Sequence, residues 1–571
     1  MLIKYLRPQA RRTVALTVLL LGSIGLQLVN PQIVRRFIDA TQSNDPSVNL
    51  TFLGVLFIAV ALVQQALAVA AVYFSERVGW TATNALRSDL ALHCLRLDLS
   101  FHKARTPGEL IERIDGDVTS LANFFSQFVI QILGSLLLLI GVVVVMWTVD
   151  WRVGVSIMLF AFVVLFGMLR MRSLAVPHWT RDRQASAELF GYIEERLAGT
   201  VDVRSSGAQP YVMRRLYEYM RARFETASRA RVMGTVSWTV PVVAFAAGSA
   251  LAFALAAYLF RTQGLSLGSA FAIYYYTQML FFPLNMISHQ IDDFQKASAG
   301  IVRIQELFNT QSRLAEGRGD PLPDGALSVQ FDRVSFEYEA DDPVLQELTF
   351  EIEPGRVLGL LGRTGSGKTT LSRLLLRLYN ATDGSVRLGG VDVRDAARED
   401  LRRRIGVVTQ DVQLFRATVR DNLTFFDPKV GDDRIIAALG ELGLTEWYRA
   451  LPEGLDTMLA ASGGGLSAGE AQLLAFTRVF LKDPSLVVLD EASSRLDPAT
   501  ERLIERAVGR LLEGRTGVVI AHRLGTVQRA DAILILEDGR VVEHGPRESL
   551  VADPRSRFST LLRTGVEEVL V

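Results

Sequence analysis

Six mostly apolar stretches dominate the first half of the chain, and each is about as long as a bilayer is thick. A helix that crosses the hydrocarbon core needs about 20 such residues. The pattern therefore predicts six membrane-spanning helices, at Thr13–Ile38, Leu50–Phe74, Phe128–Thr148, Trp151–Leu169, Val236–Phe260 and Leu267–His289. Buried core helices of a soluble protein are the alternative, and these are usually shorter and more amphipathic.

Basic residues indicate which ends of these spans face the cytoplasm. Four precede the first span, and the two long connections, Ser75–Ser126 and Arg170–Met233, are rich in arginine. Because Lys and Arg favour the cytoplasmic side of a membrane, the N-terminus, both long connections and the C-terminal half are predicted to lie in the cytoplasm. The chain is then a multi-pass protein of the cytoplasmic (inner) membrane.

The long connections are predicted to carry structure of their own. Apolar residues recur at helical spacing in residues 187–199 and 210–224, so the spanning helices should continue into the cytoplasm and turn back. After the sixth span, Gln311–Asp324 is rich in Gly, Pro and charged residues, which is typical of a boundary. The predicted division is a transmembrane domain at 1–310, a linker at 311–326 and a second domain at 327–571.

Composition limits the partners and the redox chemistry. The 571 residues are more than one domain should hold. With 61 basic and 61 acidic residues the formal net charge is zero, so no nucleic acid or other polyanion is indicated as a partner. The single cysteine, Cys94, excludes an internal disulfide, and we interpret it as a small apolar filler.

The second domain contains a phosphate-binding motif. Gly362–Thr369, with the sequence GRTGSGKT, fits G-x-x-x-x-G-K-[ST] and lies between a strand-like run and a helix-like run. The glycines let backbone N–H groups surround phosphate oxygens at the start of a helix. Lys368 can then reach the β- and γ-phosphates of ATP, and the Thr369 hydroxyl can ligate Mg²⁺.

Two further strand-like runs end in residues that suit the same chemistry. Asp490 and Glu491 follow residues 485–489 directly, and His522 follows residues 517–521 directly. Asp490 can hold Mg²⁺ or its water shell opposite Thr369, and Glu491 can polarise a water for attack on the γ-phosphorus. Because open parallel sheets bind ligands at the carboxyl ends of their strands, these residues are predicted to converge on the edge that carries the motif.

These features resemble a half-transporter of the ABC exporter family, over nearly the whole chain. Leu466–Glu470, LSAGE, matches the family signature LSGGQ, and Phe101–Val118 resembles the first intracellular loop with its coupling helix. Tyr192–Val203 resembles the run before the second coupling helix. The resemblance implies a multi-domain membrane protein with an all-α six-helix transmembrane domain, long cytoplasmic extensions, and then an α/β P-loop ATPase domain.

The resemblance also assigns roles to residues. It implies that Glu491, His522 and Gln410 are catalytic, and that Thr369, Gln410 and Asp490 hold Mg²⁺. Tyr338 matches the aromatic residue that stacks on adenine, and Asp497 matches the D-loop. The implied ATP-binding residues are Tyr338, Gly362, Arg363, Thr364, Gly365, Ser366, Gly367, Lys368, Thr369, Thr370, Ser467, Gly469 and Asp497.

The family mechanism implies a second half-transporter as partner. Two nucleotide-binding domains close head to tail, and each ATP lies between one chain's P-loop and the other chain's signature. The resemblance implies ATP-driven export of a hydrophobic or amphipathic small molecule, lipid or peptide across the lipid bilayer by alternating access. Two alternatives stay open: an importer with an exporter-like fold, and a regulatory membrane ATPase that moves nothing.

The signature departs from the family pattern. Ala468 and Glu470 replace a glycine and a glutamine, and Met458–Gly463 lacks the charges that family members usually carry there. The P-loop side of the chain is intact, whereas the face it offers a partner is altered. This asymmetry favours a heterodimer over a homodimer with a tolerated variant.

Polar side chains within the spans bear on the substrate. They are Gln64, Gln65, Gln131, Asn285 and His289. We interpret them as hydrogen-bonding partners between helices, or as residues solvated near the cytoplasmic mouth, rather than as substrate contacts. Acidic or basic clusters are absent from the middle of the predicted spans, which favours an apolar or amphipathic cargo over a highly charged one.

Overall fold

The computed structural model describes residues 2–43, 48–314, 317–339, 341–460, 464–490, 498–521 and 527–564, with the backbone alone at 2–3, 125, 127–129, 289, 291–295, 498–499 and 564. The chain forms two compact units. The first comprises Met1–Arg96 and Arg105–Thr310, and the second comprises Leu97–Ala104 and Gln311–Val571. The short segment Leu97–Ala104, which falls inside the predicted transmembrane domain, thus groups with the nucleotide-binding half.

The first half of the chain is helical. Its helices are α1 Leu2–Leu6, α2 Ala10–Ser43, α3 Leu50–Arg96, α4 Leu99–Lys103, α5 Pro107–Ile111, α6 Asp117–Gln127, α7 Gly134–Val149, α8 Trp151–Ala198, α9 Thr200–Ser205, α10 Gln209–Gln263, α11 Leu267–Met279 and α12 Phe281–Asn309. A 3-10 turn at Arg7–Gln9 and π-helical turns at Glu112–Gly116 and Phe128–Leu133 join some of them.

Five helical stretches of the described chain are long and apolar enough to cross a membrane. They are Lys4–Ser43, Leu50–Arg96, Ile130–Val149, Trp151–Ala198 and Gln209–Gln263. The long helices α3, α8 and α10 contain 47, 48 and 55 residues, roughly 70–80 Å at about 1.5 Å per residue. The predicted extension of the spans beyond the bilayer is therefore confirmed.

The sixth predicted span is interrupted. Helix α11 ends at Met279 and α12 begins at Phe281, with Leu280 in a turn between them. Pro283 lies in the first turn of α12 and has no backbone N–H, so the carbonyl of Met279 loses the partner that a continuous helix would give it. The apolar pattern alone does not reveal this break.

Hydrogen bonds between helices organise the first unit. Gln64 Nε2 donates to Ser23 Oγ over 3.4 Å, and Gln131 Oε1 accepts from Gln290 Nε2 over 2.7 Å, which confirms our interpretation of these two glutamines. Gln65 is exposed, and the side chain of His289 lies outside the described residues. Buried polar groups pair in this way because an unsatisfied group in an apolar interior is costly.

The second unit is built on two sheets. Its strands are β1 Val329–Glu337, β2 Pro343–Ile352, β3 Val357–Gly362, β4 Asp383–Leu388, β5 Val391–Asp392, β6 Ile405–Val408, β7 Leu486–Asp490, β8 Thr516–Ile520, β9 Ala532–Glu537 and β10 Arg540–Pro546. A four-stranded antiparallel sheet has the order β2-β1-β4-β5, and a six-stranded sheet has the order β10-β9-β3-β8-β7-β6. Strands β9, β3, β8, β7 and β6 are parallel, and β10 is antiparallel to β9.

Helices cover the faces of the larger sheet. They are α13 Lys368–Leu375, α14 Arg398–Arg404, α15 Val419–Thr424, α16 Asp432–Glu441, α17 Thr445–Arg449, α18 Ala468–Lys482, α19 Pro498–Leu512, α20 Arg547–Ala552 and α21 Arg557–Thr564, with a 3-10 turn at Gly454–Asp456. Continuous apolar runs such as β8, buried at every position, are typical of parallel strands covered on both sides. The prediction of a helical membrane domain followed by an α/β domain is confirmed.

The carboxylate of Asp98 connects α4 to the linker within the second unit. One oxygen accepts from the backbone N–H of Phe101 over 3.0 Å and caps α4, and the other accepts from the N–H of Arg313 over 2.5 Å. Ser100 Oγ donates over 2.5 Å to the same oxygen as Phe101, Oδ1. Burial would raise the pKa of this carboxyl, but hydrogen bonds from Ser100, Arg313 and Phe101 outweigh burial and lower the pKa.

Replacing Asp98 with Asn should destabilise the second unit, because an amide N–H would then face the Arg313 or Phe101 N–H. The loss should be about 1–3 kcal/mol at neutral pH. A lowered folded-state pKa gives stability that is present above the unfolded value of about 3.9 and is lost as the pH falls through the folded value. Thermal unfolding of wild type and Asp98→Asn in detergent, across pH, should show a difference that shrinks at acidic pH.

The matched control is Asp341→Asn, at an exposed turn position with positive φ, which asparagine also tolerates. It should leave the unfolding temperature unchanged. Equal unfolding temperatures for wild type and Asp98→Asn at neutral pH would contradict the role given to this carboxylate.

Candidate functional site

The P-loop joins β3 to α13 in a conformation that only glycine adopts easily. Gly365 and Gly367 have φ angles of 86° and 101°, in the left-handed region. A Cβ on Gly367 would lie 2.4 Å from Leu345 Cδ2, whereas a Cβ on Gly365 would meet nothing within 4 Å. The backbone N–H groups at the start of α13 therefore stand beside open space, where a phosphate can approach closely.

The polar side chains of the loop suit an anion. Lys368 is 5% exposed, and its Nζ donates to the carbonyls of Gly362 and Arg363 over 2.5 and 2.9 Å. Ser366 Oγ is buried, and no hydrogen-bond partner for it occurs among the described atoms. A buried hydroxyl lacking an acceptor, an ammonium group and a helix N-terminus together fit a triphosphate.

Sheet topology brings the other candidate residues to the same edge. Ile520 of β8 pairs with Leu360 of β3 on one side and with Asp490 of β7 on the other. Asp490 thus lies two strands from β3, about 10 Å at about 4.8 Å per strand. Gln410 follows the end of the adjacent strand β6 by two residues and is exposed. The P-loop, Asp490 and Gln410 therefore lie along one edge of the sheet.

The Mg²⁺ site remains a prediction. Within the described ranges, no group of three or more His, Cys, Asp and Glu side chains could hold a metal ion. The residues expected to hold Mg²⁺ include a hydroxyl and an amide, from Thr369 and Gln410, so such a group is not required here. Three predicted site residues, Glu491, Asp497 and His522, lie outside the described residues.

Tyr338 follows β1 and is held by a set of polar contacts. Its hydroxyl accepts from Arg373 Nη1 over 2.8 Å and lies 3.1 Å from Thr370 Oγ1. Lys103 Nζ, from α4, lies 4.3 Å from the ring centroid, in the range of a cation–π contact. The side chain of Thr370 is buried and contacts the Tyr338 hydroxyl, and its predicted role in binding ATP stays a prediction.

The sequence analysis did not predict the contacts of Tyr338 with Arg373 and Lys103. Thr370 and Arg373 are three residues apart on α13, so their shared helix face could have linked them. Lys103 is far from Tyr338 in sequence, and no pattern connects them.

The signature forms the N-terminus of α18. Ser467 is its N-cap, and Ser467 and Glu470 form a capping box. Glu470 Oε2 accepts from the Ser467 backbone N–H over 2.7 Å and from the Ser467 hydroxyl over 2.8 Å. Gly469 is buried behind them. The chain's own carboxylate therefore engages the Ser467 groups that the family resemblance assigns to the partner's ATP.

Arg478 connects α18 to the segment that follows Gln410. Its guanidinium donates to the Gln413 carbonyl over 2.8 Å, and to the carbonyl and Oδ1 of Asn422 over 2.6 and 2.9 Å. Burial lowers the pKa of Arg478 to about 10, which leaves it charged at neutral pH. The sequence analysis missed it, although an arginine within the apolar run of residues 473–481 was the available signal.

Comparisons with known proteins agree with this architecture. Residues 13–284 match the family described as ABC transporter transmembrane region, and residues 345–494 match ABC transporter. The fatty acid ABC transporter ATP-binding/permease protein of Mycobacterium bovis is 31% identical over 82% of this chain and 74% of its own length. The ATP-dependent lipid A-core flippase of Idiomarina loihiensis is 28% identical over 98% of this chain and 96% of its own.

A solved structure shares the fold over both halves. The structure of a bacterial Atm1-family ABC exporter with ATP bound has a TM-score of 0.82 at 25% identity, and the match covers 98% of each chain. The P-loop ATPase domain and the membrane helices thus occur together in relatives that span this chain. The chain belongs to the ABC exporter family, in which ATP hydrolysis by the second half is coupled to transport through the first.

Proposed function

We propose that this chain is one half of a dimeric exporter that moves a hydrophobic or amphipathic compound out across the cytoplasmic membrane. Its N-terminus and nucleotide-binding domain lie in the cytoplasm. Two observations support an amphipathic cargo. The chain has six apolar stretches, and the names of two relatives refer to a fatty acid and to lipid A-core. The partner is a second ABC half-transporter, and a heterodimer is favoured.

The proposed asymmetry between the two ATP sites depends on one observation. The N-termini of α13 and α18, which would both bind phosphate, differ in their surroundings. At α13 a Cβ on Gly365 would meet no atom within 4 Å, and Ser366 Oγ has no acceptor among the atoms that the structure describes. At α18 Glu470 already accepts from both groups of Ser467. A carboxylate is favourable at a helix N-terminus, and there it competes with a phosphate for the same donors. This chain therefore offers a competent P-loop and an impaired signature.

The hydrolysing site then combines this chain's P-loop with the partner's signature. Lys368 and the N–H groups at the start of α13 bind the phosphates, and Tyr338 stacks on adenine. Glu491 takes the proton of the attacking water, and His522 helps to orient that water. Thr369, Gln410 and Asp490 would hold Mg²⁺, which neutralises charge on the β- and γ-phosphates. The other site, at Ser467 and Glu470, holds ATP without rapid turnover.

Transport by the complex with its partner tests the function. In inside-out vesicles, ATP should drive uptake of a fluorescent amphiphile, since the cytoplasmic face is then outside. ATP-driven uptake by right-side-out vesicles would indicate import, and ATP hydrolysis with no movement of any probe would indicate a regulatory ATPase. Either result would overturn the proposal.

Replacing Glu491 with Gln should abolish most ATPase activity of the heterodimer although the partner is untouched. The amide keeps the shape and the hydrogen bonding but cannot accept the proton of water. ATP binding should persist, and rates and binding are measured on the same preparation. Lys368→Ala is the contrast, because loss of a phosphate-facing cation should lower ATP affinity. Near wild-type turnover by Glu491→Gln would remove this residue from its role as base.

The double substitution Ala468→Gly and Glu470→Gln restores the family residues. It should tighten ATP binding at the site that contains this chain's signature. The neutral amide still caps α18 but no longer places a negative charge beside the phosphate. Turnover should rise little, because the partner's P-loop side is expected to lack a catalytic base. Nucleotide titration and ATPase rates of the complex check both statements. A fully active homodimer of the chain alone would instead leave the signature changes as neutral variation.

A further inference from the structure

The ring of Tyr338 packs against two other aromatic rings on its buried side. The rings of Phe336 and Tyr379 meet it nearly at right angles, with centroids 4.8 and 5.2 Å away. Both of these residues are buried, whereas Tyr338 itself is half-buried. A planar group that arrives from solvent must therefore approach the opposite, exposed side of the ring.

The orientation of this ring is fixed from its hydroxyl end. The hydroxyl accepts from Arg373 Nη1 over 2.8 Å and lies 3.1 Å from Thr370 Oγ1. Both partners belong to α13, the helix that begins at the P-loop. Because Tyr338 is bonded at one end and packed on one side, its ring cannot turn away when another group approaches.

A cation covers the exposed side of the ring. The Lys103 ammonium lies 4.3 Å from the ring centroid, and the side chain of Lys103 is exposed, so it reaches the ring from solvent. The atoms of a stacked base lie about 3.5–4 Å from those of the ring beneath it. A base and this ammonium would therefore fill the same space.

The two contacts with the ring differ in strength. A base stacked on an aromatic side chain contributes about 5- to 150-fold to affinity, whereas an exposed cation–π contact contributes about two- to fivefold. The base therefore displaces the ammonium, but its affinity is lowered by the strength of the contact that is lost. The flexible side chain of Lys103 moves aside, because the ring is the part that is fixed.

We propose that Lys103 competes with the base of ATP for the exposed face of Tyr338, so that binding of the base releases α4 from the ring. Lys103 is then a positioning residue, which acts on the nucleotide through Tyr338. The inference rests on the proposed function, in which Tyr338 stacks on adenine. By reciprocity, any change that withdraws α4 from the ring tightens the binding of ATP.

Competition binding at this chain's own nucleotide site tests the proposal. The complex with its partner is kept in nanodiscs on ice, a trace of 8-azido-ATP photolabels it, and label on this chain is quantified by mass spectrometry. ATP and inorganic triphosphate each compete with the label. Lys103→Met should tighten ATP binding about two- to fivefold. It should leave triphosphate binding unchanged, because triphosphate has no base to stack.

Three further variants serve as controls. Lys103→Arg keeps a cation over the ring and should bind ATP as the wild type does. Lys429→Met is the same substitution at another exposed lysine of the second unit, and it should change neither affinity. In a Tyr338→Leu background the ring is absent, so Lys103→Met should no longer tighten ATP binding.

Three results would overturn the proposal. Weaker binding of both ATP and triphosphate by Lys103→Met would show that the ammonium attracts the phosphates. Unchanged ATP affinity in Lys103→Met would show that the base and the ammonium do not compete. An equal effect of Lys103→Met with and without the Tyr338 ring would show that Lys103 acts elsewhere.

These measurements separate the inference from the proposed function. If Tyr338→Leu weakens ATP binding at least about fivefold but Lys103→Met has no effect, the stacking stands and the competition is overturned. If Tyr338→Leu leaves ATP affinity unchanged, adenine does not stack on this ring, and both assignments are wrong. Competition in a complex that transports no probe in vesicles would overturn export and leave the inference standing.

Discussion

The hydrogen bonds of the Asp98 carboxylate hold the segment Leu97–Ala104, which interrupts the first unit in sequence, to the linker of the second unit. The carboxylate joins a segment that follows a membrane helix to the linker that precedes the ATPase domain, 215 residues later. Both belong to the second compact unit, and Leu99 packs against the core of that unit. The chain thus passes between the units at residues 96–97, 104–105 and 310–311.

Lys103 extends this connection to Tyr338, the residue that we propose stacks on adenine. It belongs to α4, which Asp98 caps, and its ammonium lies over the ring of Tyr338. Any group that stacks on this ring must accommodate the cation of Lys103. If adenine stacks there as proposed, its binding and the position of α4 are energetically linked, since each changes the surroundings of the same ring.

Both proposed phosphate sites, at the starts of α13 and α18, are N-termini of helices. Exposed N–H groups there attract negative charge. In α13 the glycines keep the approach open, whereas in α18 a side chain three residues into the helix supplies the negative charge. Because Glu470 stabilises α18 by itself, this helix is ordered without any contribution from a bound phosphate.

Periodicity and motif spacing predicted much of this molecule. Long apolar runs predicted the spans, because hydrocarbon requires them, and the glycine pattern located the P-loop between β3 and α13. The break at Leu280 was missed, although Pro283 was a local signal. The Lys103–Tyr338 contact and the bonds of Arg478 were missed for a different reason. They depend on tertiary placement of charged side chains, which local pattern does not encode.

The length of α3 limits how residues can be inserted into this part of the chain. It runs for 47 residues without an internal proline, from the predicted bilayer to the segment that Asp98 holds. Inserting one residue into it would rotate everything beyond by about 100° and advance it by about 1.5 Å. The junction at residues 96–97 would then have to absorb that rotation, because Asp98 is bound to Arg313 within the second unit. A seven-residue insertion restores the facing to within about 20° but lengthens α3 by about 10 Å, so the twist at that junction is then small and the displacement along the helix axis is large.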